Sequence, residues 1–184
     1  MGKRLPLIAG NWKMYKTGDE ATQTARRLKE LVAAAAGVEI MIAPPFTALA
    51  QVAAVITASN IALGAQNMHW EAQGAYTGEI APTMLVNAGC RYVIIGHSER
   101  RQYFGETDQS VQRKIRAAVS NGLRPILCIG ESEAEREAGR TFSVLDKQIQ
   151  NGLDSFVLQD LKSLVMAYEP ETAITPLYRR NKKL

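Results

Sequence analysis

Short apolar runs rich in β-branched residues alternate with amphipathic stretches along this chain of 184 residues. The apolar runs predict six strands, at 5–12, 38–46, 61–67, 92–97, 125–130 and 164–169. The stretches between them predict helices at 20–36, 46–58, 81–87, 108–120 and 141–153. Because the strand runs are too apolar to alternate between a buried and a wet face, they indicate a parallel sheet covered by helices. A barrel and an open doubly wound sheet both fit this pattern.

The fourth apolar run ends in a histidine. Gly96 breaks the run and His97 follows at once, so we expect its imidazole at the carboxyl end of a buried strand. Ligands and catalytic groups collect at that end of parallel strands. Ser98 is predicted to cap a helix whose first turn holds Glu99, and the positive end of that helix favours a neutral imidazole. Such a ring can donate a hydrogen bond to a carbonyl oxygen, although a structural histidine beneath a loop remains the alternative.

Two further strand ends carry ionisable side chains. Lys13 follows the first apolar run, and Glu169 ends the sixth, just before Pro170 stiffens the chain. Alone, each has a plain explanation as a surface lysine or a strand-end carboxylate. In a barrel, however, both would open onto the same face as His97. A carboxylate base, a neutral imidazole donor and an ammonium group suit proton abstraction beside a carbonyl, with no metal or cofactor required.

The connection at 66–80 is too long and too aromatic for a solvated linker, and its glycines argue against a single helix. It predicts a loop that inserts into another surface, with a loop folded over its own barrel as the alternative. His69, within this loop, has no partner at metal-ligand spacing, and we assign it no chemistry.

The composition, 46% hydrophobic and 22% charged, indicates one globular domain. The net charge of +4 comes entirely from the end of the chain, at Arg179, Arg180, Lys182 and Lys183. The rest carries equal numbers of basic and acidic groups, which argues against a nucleic-acid surface. No apolar run approaches the roughly 20 residues that span a bilayer, so no membrane association is expected. Cys90 and Cys128 lie in apolar surroundings without metal-ligand spacing, which favours reduced, buried thiols and a cytoplasmic location.

The resemblance to a known family goes beyond this logic. It rests on GNWKM at 10–14, GAQN at 64–67, GAYTGEI at 74–80, IGHSERR at 95–101, CIGE at 128–131 and AYEP at 167–170. In order and spacing these segments are similar to the triosephosphate isomerase family. The resemblance implies a TIM (β/α)8 barrel, here incomplete with about six β/α units. It also implies a homodimeric isomerase without cofactors that interconverts dihydroxyacetone phosphate and D-glyceraldehyde 3-phosphate in glycolysis and gluconeogenesis.

The resemblance also assigns site residues. Lys13, His97 and Glu169 fall on the family's catalytic positions, and a glutamate base beside a neutral histidine is the pairing already known for this family. Ser98 and Glu99 fall on supporting positions beside them. The substrate-binding positions are Asn11, Trp12, Lys13 and Thr175. The loop that docks into a second subunit matches Gln66, Tyr76, Thr77 and Gly78.

The match weakens after Pro170. The chain continues with ETAITPL at 171–177, where the family has the lid sequence VWAIGTG. Thr175 falls on the lid glycine and precedes Pro176, which pushes it toward an extended backbone. We therefore predict two parts: triosephosphate isomerase-like units at 1–170, and a divergent lid segment with a basic tail at 171–184.

The number of units bears on activity. A complete barrel of eight units takes about 250 residues, and six are recognisable here. The sequence therefore predicts a weak or inactive isomerase that ends early. One alternative is a non-catalytic remnant or assembly partner that pairs with intact subunits through the loop after strand three. Another, a doubly wound nucleotide-binding domain, lacks the glycine-rich first turn that such folds use.

Overall fold

A single parallel sheet organises the computed structural model, which describes residues 5–170. Its six strands are β1 (Leu7–Asn11), β2 (Glu39–Ala43), β3 (Ile61–Ala65), β4 (Cys90–Ile95), β5 (Arg124–Ile129) and β6 (Val165–Tyr168). Neighbouring strands follow chain order from β1 to β6. A doubly wound sheet reverses its strand order, whereas a barrel wall does not. The predicted incomplete barrel is therefore confirmed.

Seven helices cover the sheet within the described residues: α1 (Gly18–Leu31), α2 (Leu49–Ile56), α3 (Pro82–Asn87), α4 (Ser98–Phe104), α5 (Asp108–Ser120), α6 (Glu133–Glu137) and α7 (Thr141–Gly152). A 3₁₀ turn at Phe46–Ala48 leads into α2. Each predicted helix is present, although α1 ends at Leu31 rather than at 36. The charged stretch at α6 forms a short helix because Ser132 and Glu135 make a capping box at its amino end.

Apolar side chains pack on both faces of the sheet. The larger cluster lies between the strands and the helices and includes Ile42, Leu63, Val93 and Leu127. A smaller cluster shares the other strand face; its buried members are Met41, Ala43, Tyr92, Ile94, Ile126 and Cys128. Burial on both faces accounts for the continuous apolar runs in the sequence.

The amino ends of the strands hold a polar cluster of three side chains. Tyr92 donates its hydroxyl proton to Glu39, and Arg124 Nη1 lies 2.6 Å from Glu39 Oε2. The guanidinium of Arg124 also lies over the Tyr92 ring, 4.7 Å from its centroid. These contacts join β2, β4 and β5 at the end opposite the predicted site.

The sheet does not close on itself within residues 5–170. There, β1 pairs with β2 and β6 pairs with β5, and neither has a second strand neighbour. Apolar side chains on these two strands are correspondingly exposed, with Ile8 at 62% and Met166 at 45%. The sheet therefore has two open edges within this range.

Both cysteines are free and buried, in agreement with the sequence. Over the described range, no helix combines the length and apolar character needed to cross a membrane.

Candidate active site

The chain leaves β1 through a conformation that is unusual for lysine. Lys13 has a φ of 51°, in the left-handed region, which costs a non-glycine residue about 1 kcal/mol or more. Two side chains hold it there: Asn11 Oδ1 accepts the Lys13 N–H at 2.9 Å, and Gln66 Nε2 donates to the Lys13 carbonyl at 2.9 Å. Local sequence and tertiary contacts therefore fix the direction in which the lysine leaves the strand.

The Lys13 ammonium group reaches across to α4. Its Nζ lies 2.8 Å from Oε1 of Glu99, so the predicted supporting carboxylate contacts the predicted cation. Trp12 donates its backbone N–H to Ala43 and packs its side chain against the larger apolar cluster, and its role in substrate binding stays a prediction. The described Trp12 contacts therefore hold the strand end together.

His97 itself caps α4, whereas the sequence predicted Ser98 in that position. Its φ and ψ of −54° and 140° are non-helical, and its Nδ1 accepts the backbone N–H of Glu99 at 3.2 Å. Ser98 is the first helical residue. The prediction was wrong because an imidazole nitrogen supplies the acceptor that serine, threonine or aspartate usually provides.

This cap determines which nitrogen of His97 carries the proton. Since an N–H points at Nδ1, that nitrogen presents a lone pair, and the hydrogen of a neutral ring lies on Nε2. Oε2 of Glu99 lies 3.6 Å from Nδ1, and the other oxygen of the same carboxylate pairs with Lys13. The hydrogen-bond geometry thus supports a neutral imidazole whose Nε2–H faces away from α4.

The carboxylate of Glu169 lies beside His97 Nε2. Its Oε2 lies 3.4 Å from His97 Nε2 and is buried without a hydrogen-bond partner among the described residues. Its backbone N–H is fixed by the Ile129 carbonyl at 2.8 Å, which extends the ladder between β5 and β6 by one residue. A buried carboxylate oxygen with an unused lone pair is a good proton acceptor.

Gly130 makes this placement of Glu169 sterically feasible. A Cβ built on Gly130 would lie 2.2 Å from the Glu169 carbonyl oxygen, so only glycine fits without a backbone shift. Gln148 on α7 binds both backbone polar groups of Gly130, at 2.9 Å each. The sequence interpretation missed both roles, although a glycine directly after a strand was a usable signal.

The last strand is further anchored through the buried carboxylate of Glu131. Tyr168 and Thr141 donate to its Oε1 at 3.0 and 3.2 Å. Burial acts to raise the pKa of Glu131, but hydrogen bonds from the backbone, Tyr168 and Thr141 outweigh it, so the pKa lies below its ordinary value. An ionised Glu131 therefore ties β6 to the loop after β5.

Cys128 lies beside the Glu169 carboxylate. Burial, reinforced by the negative charge of Glu169 and a hydrogen bond to it, raises the pKa of Cys128 above its ordinary value. The thiol therefore stays protonated beside the carboxylate. Sequence reasoning assigned this cysteine a purely structural place.

The structure thus brings together His97 and Glu169 and connects Lys13 to them through Glu99. Ser98 borders a cavity of about 290 Å³ that also borders Arg101, Gly130 and Glu169. Thr175 lies outside the described residues. Among residues 5–170, no group of three or more histidine, cysteine or acidic side chains is placed to hold a metal ion.

The predicted subunit loop is exposed from residue 71 to 79. The Tyr76 ring contacts the His69 ring in a tilted arrangement, with 4.5 Å between their centroids, and Tyr76 remains 45% exposed. Thr77 and Gly78 follow it on the surface. Gln66 is different, because its amide is used within the chain, on Lys13 and on Ala43. Its place in a subunit interface stays a prediction.

A family model described as triosephosphate isomerase matches residues 6–176, which is most of the chain. The chain belongs to the triosephosphate isomerase family. Proteins named triosephosphate isomerase from Geobacter metallireducens and Chloroflexus aurantiacus are 56% and 54% identical to it over 171 residues. Each alignment covers 93% of this chain and 68% of the relative. Relatives named as isomerases favour the enzyme over the non-catalytic alternative.

A solved structure supports the same assignment. The crystal structure of triosephosphate isomerase from Bartonella henselae superposes with a TM-score of 0.85 at 35% sequence identity. The superposition covers 96% of this chain and 73% of that one. The incomplete barrel of six strands is therefore a substantial part of the triosephosphate isomerase fold.

Proposed function

We propose that this chain interconverts dihydroxyacetone phosphate and D-glyceraldehyde 3-phosphate, with Glu169, His97 and Lys13 as its catalytic residues. The observation that carries the proposal is the 3.4 Å approach of the free Glu169 carboxylate oxygen to His97 Nε2. Family membership supplies the substrate class. The reaction belongs to glycolysis, and on that ground alone we place the protein in the cytoplasm.

In this mechanism Glu169 removes a proton from the carbon next to the substrate carbonyl. The electrons of that C–H bond form a carbon–carbon double bond, and the carbonyl π electrons move to oxygen. His97 donates its Nε2 proton to that oxygen, which gives an enediol. Glu169 then delivers its proton to the former carbonyl carbon, while His97 Nε2 takes the proton of the neighbouring hydroxyl; the electrons of that O–H bond form the new carbonyl, and both residues return to their starting states. A neutral imidazole supports this role, because its other nitrogen is occupied as an acceptor from Glu99.

Lys13 would supply positive charge for the enediolate and for the substrate phosphate. Its pairing with Glu99 orients the ammonium group before substrate arrives. We expect the activity to be weak. In residues 5–170 the wall between β1 and β6 is open, so water reaches a site that should be dry for strong electrostatic stabilisation.

The test is an isomerase assay on the purified chain with D-glyceraldehyde 3-phosphate, produced in a host that lacks its own isomerase. Glu169→Gln is the matched control, because it keeps the side-chain shape and removes the base. Loss of a general base costs about 10²- to 10⁴-fold in rate. A rate that is the same in both proteins would contradict the proposal, since the residual activity would then not depend on Glu169.

The proposal includes a homodimer formed through the loop at 66–80. The exposed Tyr76 and the exposed stretch 71–79 support it, together with the family resemblance of this loop. Sedimentation should give a dimer at micromolar concentration for the native chain and a monomer for Thr77→Arg. A monomer in both samples would rule out the dimer but leave the catalytic proposal standing.

A further inference from the structure

A buried ionic cluster lies beneath the turn that presents His97. The side chains of Glu106 and Lys114 are only 2% and 6% exposed and form an ion pair. Lys114 Nζ also donates to Asn67 Oδ1 at 2.8 Å. Taking two charges out of water is costly, and an apolar pair of similar size often stabilises a fold equally well. The cluster therefore calls for an explanation other than stability alone.

The second carboxylate oxygen of Glu106 binds the turn before His97, which explains why the cluster is there. This Oε2 accepts the backbone N–H of Gly96 at 3.2 Å, within the buried interior. Gly96 has a φ of 76°, a left-handed conformation that turns the chain from β4 into α4, and it immediately precedes His97. The carboxylate thus bonds the turn that sets the direction of the histidine.

The same turn is held from its other side. Arg101 Nε donates to the Gly96 carbonyl at 2.8 Å, and Arg101 Nη1 is held by Asp108 at 2.6 Å. Both peptide groups of Gly96 are therefore fixed by side chains from the segment that follows. A slip in this turn would rotate the His97 ring away from Glu169.

We propose that Glu106 is a positioning residue for His97, and that Lys114 connects it to Asn67 at the base of the 66–80 loop. Glu106 acts through Gly96 and contacts no reacting group. The inference rests on the proposed role of His97. Its test reads the imidazole directly, so its failure and the failure of the isomerase proposal are distinguishable.

The chain offers a clean readout because it contains two histidines, His69 and His97. Nitrogen-15 NMR of histidine-labelled protein reports the tautomer and surroundings of each ring. His69 is an internal reference, since its Nδ1 accepts the Glu71 N–H at 3.1 Å and it takes no part in the cluster. The native chain should show His97 with its proton on Nε2.

Two double variants separate positioning from simple charge burial. Glu106→Leu with Lys114→Met removes both charges and the acceptor for Gly96. Glu106→Gln with Lys114→Met removes both charges and keeps an acceptor oxygen. The first variant should shift the His97 ring signals. It should also raise the population of the minor form of that ring about fivefold or more, because one buried hydrogen bond is lost. The second should leave those signals native, and His69 should stay unchanged in both.

Identical His97 signals in the native chain and the leucine variant would overturn the proposal. Equal changes in both double variants would also overturn it, since only charge burial would then matter. If the leucine variant does not fold, Asn67→Leu decides, because it removes only the second acceptor of Lys114. For this variant we expect a smaller shift of the His97 signals in the same direction. Unchanged signals would overturn the proposed connection from Asn67 through Lys114 to Glu106.

Discussion

Lys13 Nζ lies 2.8 Å from Glu99 Oε1, although 86 positions separate the two residues in the sequence. The contact joins the loop after β1 to the first turn of α4. It brings a cation to the same strand ends as His97 and Glu169. Both side chains are partly exposed, at 29% and 39%, so the pair orients the ammonium group more than it stabilises the fold.

Substitution of Lys13 should therefore separate function from stability. Lys13→Met removes one partly exposed ion pair, which lowers the free energy of unfolding by about 1 kcal/mol or less. The same change removes the cation proposed for the enediolate, and we expect the rate to fall about 10²-fold or more. Urea unfolding and the isomerase assay measure the two effects.

Lys16→Met is the matched control, because Lys16 is an exposed lysine in the same loop. It should leave the isomerase rate within about twofold of the native value, as expected for a charge outside the site. Equal losses of rate in the two variants would show that general charge, rather than Lys13, matters.

Gly130→Ala should displace the proposed base. The new Cβ would lie 2.2 Å from the Glu169 carbonyl oxygen, so the end of β6 must shift. A misplacement of about 1 Å at a reacting group can cost about 10²-fold in rate. Gly152→Ala is the control, since its Cβ would meet Val111 at an ordinary 3.6 Å. A fully active Gly130→Ala variant would contradict the proposed position of Glu169.

Stability should fall in acid through Glu39. The hydrogen bond from Tyr92, with a contribution from Arg124 and against the effect of burial, lowers the pKa of Glu39 below its ordinary 4.5. Because the folded-state pKa is the lower one, the contribution to stability is present above pH 4.5 and is lost as the pH falls through the folded value. Burial and the bond to Glu39 raise the pKa of Tyr92 to about 12, so the hydroxyl remains a donor throughout.

Tyr92→Phe should reduce the free energy of unfolding by about 1 kcal/mol at neutral pH, given the partial exposure of Glu39. It should also narrow the difference in stability between neutral and acidic solution. Tyr103→Phe, at a residue 68% exposed, is the control and should change neither. Urea titrations at several pH values give the comparison. An unchanged acid dependence in Tyr92→Phe would show that the hydroxyl does not set the pKa of Glu39.

Both thiols should resist modification in the folded chain. Burial raises the pKa of Cys90 to about 12, and the pKa of Cys128 is also raised, so little thiolate forms at pH values near 8. A thiol-specific disulfide reagent should label the native chain about 10²-fold more slowly than the urea-unfolded chain. Cys128→Ala assigns the remaining rate to Cys90. Rapid labelling of either cysteine under native conditions would contradict its burial.

The sheet could be predicted from the sequence because strands that are buried on both faces consist of continuous apolar runs. The sequence also placed Lys13, His97 and Glu169 at strand ends, which the parallel arrangement gathers at one edge. It did not predict the Glu106 and Lys114 pair, since neither spacing nor polarity distinguishes a buried charge from a solvated one. The cap of α4 was misassigned for a similar reason, because the acceptor is a ring nitrogen whose direction depends on tertiary contacts.

Within residues 5–170 the outer backbone of β1 and of β6 has no strand partner, and this affects how the protein behaves in solution. Each of these strands presents amide and carbonyl groups on its outer side that another polypeptide backbone can satisfy. Burial of the exposed side chains of Ile8 and Met166 would further stabilise such pairing. The association state of the protein should therefore depend on its concentration, and dilute samples should contain mostly single chains.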